Sequence, residues 1–190
     1  MKQIRSHEFT RTKVSLDALA DILSDLGMPP LQATQLHRDE IPDPFRPLLV
    51  HRKGMTRTLE AAYGKRLKLK TLQSVLQNSI YTRQVVLLLG DADIVTEMAF
   101  IRIHLEAFLP ALRNLILEEA VPLGTIFRLY QVDHYYKSSI YFSLKPDSLI
   151  SEYLPPEVPN VLYGRRIIIS NSSDHTLADS IEIPFPIGVE

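Results

Sequence analysis

Apolar residues recur at helical spacing in four parts of the chain. In residues 15–27 they share one helical face, with Ser15 placed to cap the start and Gly27 to end the helix. A second helix is predicted to begin near Thr56. The other two contain prolines that suit the first turn of a helix, and they are predicted at residues 108–119 and 122–130.

Other segments alternate apolar and polar residues with a period of two, which is the pattern of half-buried strands. The alternation starts at Arg66 and returns in residues 81–89 and 94–105. Gly-Asp-Ala-Asp joins these last two segments. This turn composition predicts an antiparallel hairpin. Further strands are predicted at residues 135–144, 165–170 and 177–185, the last two joined by a turn at 171–174.

Prolines concentrate between the first helix and Pro47. Because proline fixes φ and lacks a backbone N–H, this stretch is predicted to be irregular rather than a helix or a central strand. Residues 146–159 are predicted to be a loop. The predicted fold class is α+β, with a central, mostly antiparallel sheet of about six strands and helices packed on one side. The short turns disfavour a doubly wound parallel sheet, whose crossover connections are longer.

Length and composition favour one domain. The 190 residues, 45% of them hydrophobic, predict a single domain, with a helix and proline-rich connection at 1–47 and a core at 48–190. Cysteine is absent, which removes disulfides, thiolate metal sites and thiol nucleophiles. The polar N-terminus lacks a signal-peptide pattern and no apolar window could span a bilayer, so a cytoplasmic protein without membrane insertion is predicted.

Charge and motifs narrow the classes of partner. The net charge of −1 gives no overall attraction to nucleic acid. The six histidines show no metal-binding spacing, and neither a P-loop nor a dinucleotide-binding glycine motif occurs. The sequence therefore favours a small-molecule partner and predicts neither a metal site nor a nucleotide site.

The candidate chemistry begins with Arg83. Strand alternation places this residue on the same face as Val85 and Leu87. A guanidinium on an apolar face is costly unless an anion pairs with it. Arg83 is structural if that anion is a protein carboxylate or if the residue lies at the strand end, and it is functional if the anion is a ligand. The pattern leaves these interpretations open.

Two carboxylates are candidates for a role beside Arg83. Glu97 lies among apolar residues of its strand, which predicts a buried carboxylate and a candidate structural partner of Arg83. Glu182 shares a strand face with Ala178 and Ser180, whereas the opposite face is apolar. Periodicity alone therefore predicts that Glu182 is solvated.

Two predicted helix starts combine glycine with a hydroxyl residue, in Lys53-Gly-Met-Thr56 and in Val121-Pro-Leu-Gly-Thr125. Free N–H groups at a helix start can bind an anion. Ordinary helix caps use the same residue types, so both interpretations stay open.

Five short motifs follow one another along the chain, and together they resemble the chorismate lyase family. The likeness covers roughly residues 45–186. The motifs are Gly-Met55-Thr-Arg-Thr-Leu-Glu, Arg83-Gln-Val-Val-Leu, Pro-Leu123-Gly, Leu-Tyr-Gly-Arg165-Arg166 and Ile-Glu182-Ile-Pro-Phe-Pro.

The resemblance implies an antiparallel sheet around a buried pocket, in which chorismate is split into 4-hydroxybenzoate and pyruvate without a cofactor, as in ubiquinone or other quinone biosynthesis. By the same resemblance, Arg83 and Glu182 are the catalytic residues. Arg83 would hold a ligand carboxylate, and Glu182 would take part in proton transfer. The main chain at Met55 and Leu123 would bind polar ligand atoms. The sequence thus predicts a chorismate pyruvate-lyase that binds chorismate and an aromatic acid product.

Two other interpretations remain. Effector domains of GntR-type transcription regulators share this general architecture, and a non-catalytic sensor of a small aromatic acid would also use Arg83. An enzyme of the same fold with another aromatic acid as its substrate is the third. The isomer of the product, 4- or 3-hydroxybenzoate, and the oligomeric state are left open.

Overall fold

A computed structural model describes residues 17–90, 93–137, 140–146, 148–154 and 159–187. In this part of the chain eight strands form one sheet in the order β1-β6-β7-β8-β4-β3-β2, with β5 also paired to β7. All the pairings are antiparallel. The strands are β1 (Ala33–Leu36), β2 (Leu67–Gln77), β3 (Ile80–Leu89), β4 (Ile94–His104), β5 (Tyr135–Tyr136), β6 (Ile140–Leu144), β7 (Leu162–Ser170) and β8 (Thr176–Pro184).

Six α-helices accompany the sheet in the described residues. They are α1 (Asp17–Asp25), α2 (Arg46–Leu49), α3 (Met55–Tyr63), α4 (Pro110–Leu117), α5 (Leu123–Leu129) and α6 (Ser148–Ser151), with short 3-10 helices at Arg38–Glu40 and Leu105–Ala107. None of the helices in the described ranges has the length and apolar character that crossing a membrane requires.

The predicted α+β fold class with an antiparallel sheet is confirmed. The strand count is higher than predicted for two reasons. The proline-rich stretch contains β1, which lies at the edge of the sheet, where a proline-rich neighbourhood is tolerated. The predicted strand 135–144 is two strands, β5 and β6, which both pair with β7. The predicted loop 146–159 contains the short helix α6.

Helices cover both faces of the sheet rather than one. On one face, Asp25 at the end of α1 accepts hydrogen bonds from Thr82 Oγ1 and from Arg102 Nε, each at 2.7 Å. Arg83, the neighbour of Thr82, points to the opposite face, which α3 and α5 cover. Gly27 ends α1 with a φ of +68°, as the sequence predicts, whereas Ser15 lies outside the described residues.

Strand register positions the candidate site. In the β3–β4 hairpin Arg83 lies opposite Ile101, and Leu87 lies opposite Glu97. On the other side of β4, Ala99 pairs with Glu182 of β8. The predicted hairpin is confirmed, and the pairing of β4 with β8 brings Glu97 and Glu182 onto adjacent strands.

Candidate functional site

A small cavity lies on the sheet face that carries Arg83. Its floor is made by β2, β3, β4 and β8, and its walls are the starts of α3 and α5 with Phe127 and Tyr136. The cavity volume is about 50 Å³. We call it the inner pocket. All five residues singled out by the sequence line it: Met55, Arg83, Glu97, Leu123 and Glu182.

Arg83 is a buried cation for which the described part of the chain supplies no anion. Its side chain is 0% exposed, and none of its three guanidinium nitrogens has a hydrogen-bond partner among the described residues. The ring of Tyr81, 5.8 Å from Cζ, offers only a cation–π contact. Burial lowers the pKa of Arg83 to about 10. Neither a structural ion pair nor an exposed strand end accounts for this residue.

Glu182 is buried, so the prediction from periodicity is wrong. Its Oε2 accepts a hydrogen bond from Arg165 Nε at 2.6 Å. Alternation on β8 identifies two faces correctly, but it contains no information about whether the second face is covered. Here α3 and α5 lie over that face, and Glu182 is only 7% exposed.

Arg165 is a residue whose role the sequence did not reveal. Besides Glu182, its guanidinium donates to the main-chain oxygens of Leu49 at 2.9 Å, His51 at 3.2 Å and Lys53 at 2.9 Å. These bonds tie β7 to the segment that leads into α3. Arg165 is 0% exposed, and its positive charge is balanced by Glu182.

His51 is held beside this ion pair as a neutral ring. Its Nε2 lies 2.7 Å from the carbonyl oxygen of Leu48, and its Nδ1 accepts a hydrogen bond from the backbone N–H of Lys53 at 3.1 Å. Nδ1 is also 3.3 Å from Nη1 of Arg165. Burial and the charge of Arg165 lower the pKa of His51 to about 4.

Glu97 is buried, as alternation predicts, at 2% exposure. It is not the partner of Arg83, because Oε1 of Glu97 and the nitrogens of Arg83 are all without hydrogen-bond partners in the described residues. Burial and the nearby charge of Glu182 raise the pKa of Glu97 well above its ordinary value, while Arg165 acts in the opposite direction. The protonated form of Glu97 is therefore favoured.

Met55 and Leu123 are the first residues of α3 and α5, and neither helix start is capped by a side chain. The residues before them are Gly54 and Pro122. A Cβ at position 54 would collide with the hydroxyl of Tyr136, so glycine is required for this close approach. Burial and the charge of Glu182 raise the pKa of that hydroxyl to about 12.

A second cavity adjoins the inner pocket and shares Gly54, Thr56, Gly124 and Tyr136 with it. Its volume is about 230 Å³. We call it the outer cavity. Its lining is rich in cations, and its carboxylate Glu60 is already bonded to one of them. The cations are Arg52, Lys53, Arg57 and Arg128.

Comparison with known proteins adds the fold relationship. No family model matches the chain, and no curated protein matches its sequence. The effector domain of PhnF from Mycobacterium smegmatis is similar, with a TM-score of 0.53 and 9% identity over 73% of this chain and 91% of that domain. The chain has the chorismate lyase-like fold. The whole PhnF chain gives a TM-score of 0.51 at 9% identity, over 72% of this chain and 65% of PhnF.

A GntR-family transcriptional regulator from Bacillus cereus is more distant, with a TM-score of 0.43 and 13% identity over 65% of this chain and 94% of that one. The chain thus spans just under two thirds of whole PhnF and most of its effector domain.

The prediction of a chorismate-splitting enzyme is wrong. A similar structure that matches over most of its own length is an effector domain, not a lyase. Glu182, the residue assigned to proton transfer, is the partner of Arg165 in a buried ion pair.

Proposed function

We propose that the chain is a non-catalytic effector-binding domain whose inner pocket holds a small carboxylate on Arg83. The observation that carries the proposal is that the guanidinium of Arg83 is fully buried, faces a cavity and has no hydrogen-bond partner among the described residues. A buried charge without a partner costs several kcal/mol. A ligand carboxylate offsets that cost, because the planar guanidinium can donate to both of its oxygens. We further propose that residues 1–190 form one cytoplasmic domain, as the sequence predicts.

The charges around the inner pocket favour a ligand with one negative charge. Glu182 and Arg165 neutralise each other, and the protonated form of Glu97 is favoured. Arg83 is then the net positive charge that remains. The floor between these groups is apolar, with Val85 and Leu87, and it suits a ring. The carboxylate of a small aromatic acid on Arg83 fits both features.

The other ligand contacts in the proposal come from the sequence. The main chain at Met55 and Leu123, the first residues of α3 and α5, would bind polar atoms of the ligand, and Glu182 would lie near its other end. All three residues line the inner pocket. The effector domain of PhnF, which has a similar fold, supports a role in sensing rather than in turnover.

Calorimetric titration with benzoate and 4-hydroxybenzoate tests the proposal. We expect binding to the unchanged chain and a loss of at least about thirtyfold in Arg83→Gln, since truncating one partner of a buried charge pair costs about 2–5 kcal/mol. Arg38→Gln is the matched control, because Arg38 is exposed and remote from the pocket lining. Equal affinity in both variants, with circular dichroism unchanged, would show that Arg83 does not bind the ligand.

A further inference from the structure

Glu97, like Arg83, lines the inner pocket and has a buried polar atom without a hydrogen-bond partner among the described residues. In Glu97 this atom is Oε1. Glu97 and Arg83 lie towards opposite ends of the pocket floor. Glu97 is opposite Leu87 on β3, four residues beyond Arg83. Four residues of strand span about 13 Å, so a ligand that reaches both groups must be elongated. Ala99 lies on β4 between the levels of Arg83 and Glu97, and its short side chain leaves room above the sheet.

The surroundings of Glu97 determine what it can bind. Two ionisable groups act on Glu97, the carboxylate of Glu182 and the guanidinium of Arg165. Arg165 is already bonded to Glu182 and to main-chain oxygens, so it offers no free cation at this end. A second anion placed here would be desolvated beside the charge of Glu182, with no free cation among the described residues to offset the cost. A hydroxyl or amino group can instead donate to the unpaired Oε1.

We propose that Glu97 determines which ligands the pocket accepts. It binds a hydrogen-bond donor at the end of the ligand opposite the carboxylate held by Arg83. The ligand class is a small, elongated monocarboxylate with a hydroxyl or amino group at its far end. This inference rests on the proposed carboxylate site at Arg83.

A ring-matched series of probes tests the assignment by calorimetry. The series is benzoate, the 3- and 4-hydroxybenzoates, the 3- and 4-aminobenzoates, isophthalate and terephthalate. For the unchanged chain we expect the best donor-bearing probe to bind about five- to tenfold tighter than benzoate, the value of one hydrogen bond. Both dicarboxylates should bind at least about tenfold weaker than benzoate, by repulsion from Glu182. Whether hydroxyl or amino probes bind better identifies the donor.

Two variants of Glu97 test its role as a hydrogen-bond acceptor. Glu97→Leu should remove the preference for donor-bearing probes and keep benzoate binding, since it replaces the carboxyl group with an apolar one. Glu97→Gln should keep that preference, because the amide oxygen is still an acceptor. Glu60→Gln is the matched control, since this glutamate lines the outer cavity and not the inner pocket, and it should leave the order of affinities unchanged.

Several outcomes would overturn the assignment. Donor-bearing probes that bind the unchanged chain no tighter than benzoate would do so, as would a preference for these probes that Glu97→Leu leaves unchanged. Both leave the site at Arg83 standing, provided that benzoate binding is lost in Arg83→Gln. Absence of binding for every probe would instead overturn the carboxylate site, and this inference with it.

Discussion

Arg165 donates a hydrogen bond from Nε to Oε2 of Glu182 at 2.6 Å within the covered face of the sheet. The two residues are also opposite each other in the β7–β8 register. Further bonds from the same guanidinium reach Leu49 and Lys53, so the pair anchors the chain that enters α3. Glu182 therefore has a structural role. The ion pair also fixes the position of the Glu182 carboxylate, whose charge raises the pKa of Glu97.

Removal of one member of this pair should destabilise the fold. Arg165→Ala leaves Glu182 buried without a partner, and we expect the free energy of unfolding to fall by about 3–5 kcal/mol in urea titrations. The double variant Arg165→Met with Glu182→Leu should recover much of this loss, because apolar replacement of a whole buried pair is often close to neutral. Arg38→Ala, an exposed control, should change stability by less than about 0.5 kcal/mol. A double variant as unstable as the single one would contradict the ion-pair interpretation.

Arg83 should behave in the opposite way. Arg83→Met removes a buried charge that has no hydrogen-bond partner in the described ranges, so we expect the free energy of unfolding to rise by about 1 kcal/mol or more while carboxylate binding is lost. The matched variant is Arg102→Met on the other face of the sheet, where the guanidinium is bonded to Asp25. That variant should be destabilised. If thermal unfolding shows the same loss for both, Arg83 contributes to the fold rather than to binding.

The sequence predicted elements well where local residues determine them. Gly-Asp-Ala-Asp indicated the β3–β4 hairpin, and Gly27 has the positive φ that ends α1. Alternation along these strands also placed Arg83 and Glu97 on buried positions. The strand β1 was missed, because the prolines on both sides of it argue against a central strand, whereas an edge strand tolerates such neighbours.

Other features depend on tertiary structure and could not be derived from the pattern. Arg165 and Arg166 are adjacent and identical in type, yet they face opposite sides of the sheet, where one binds Glu182 and the other Asp179. Strand alternation explains the opposite faces, but the partner of each arginine depends on the pairing of β7 with β8, which places Arg165 opposite Glu182. The lack of an Arg83–Glu97 pair likewise follows from their separation along the β3–β4 hairpin.

His51 should make stability depend on pH. Burial and the charge of Arg165 lower its pKa from 6.5 to about 4, so the unfolded chain takes up the proton first as the pH falls. The contribution of the neutral ring is therefore complete above pH 6.5 and is lost as the pH falls towards 4. His51→Gln should remove this part of the pH dependence in urea titrations at several pH values.

Glu97 also makes the free energy of unfolding depend on pH, so its contribution must be distinguished from that of His51. Its raised pKa means that its contribution is present below 4.5 and decreases as the pH rises above that value. The informative quantity is thus the difference in unfolding free energy between the unchanged chain and His51→Gln at each pH. His37→Gln, at a histidine side chain that is 69% exposed, is the control. A difference that stays constant with pH would contradict the assignment to His51.

The outer cavity should accelerate the entry of anions. Arg52, Lys53 and Arg57 line it, and no carboxylate in the described ranges lies within ion-pair distance of any of them. A concave surface of one charge raises the local concentration of the opposite charge and hence the association rate. Because the chain has no tryptophan, stopped-flow measurement with the fluorescent probe 2-aminobenzoate is practicable.

We expect the double variant Lys53→Gln with Arg57→Gln to associate with this probe several-fold more slowly than the unchanged chain. Its dissociation rate should stay the same, because the bound carboxylate contacts Arg83 and not these side chains. Raising the salt from about 0.05 to 0.5 M should slow association to the unchanged chain several-fold, since the screening length falls well below 10 Å, and it should have less effect on the variant. The control pair Arg38→Gln with Lys70→Gln removes the same charge from positions outside both cavities. If the variant changes dissociation and leaves association untouched, these cations contact the bound ligand directly and do not steer it.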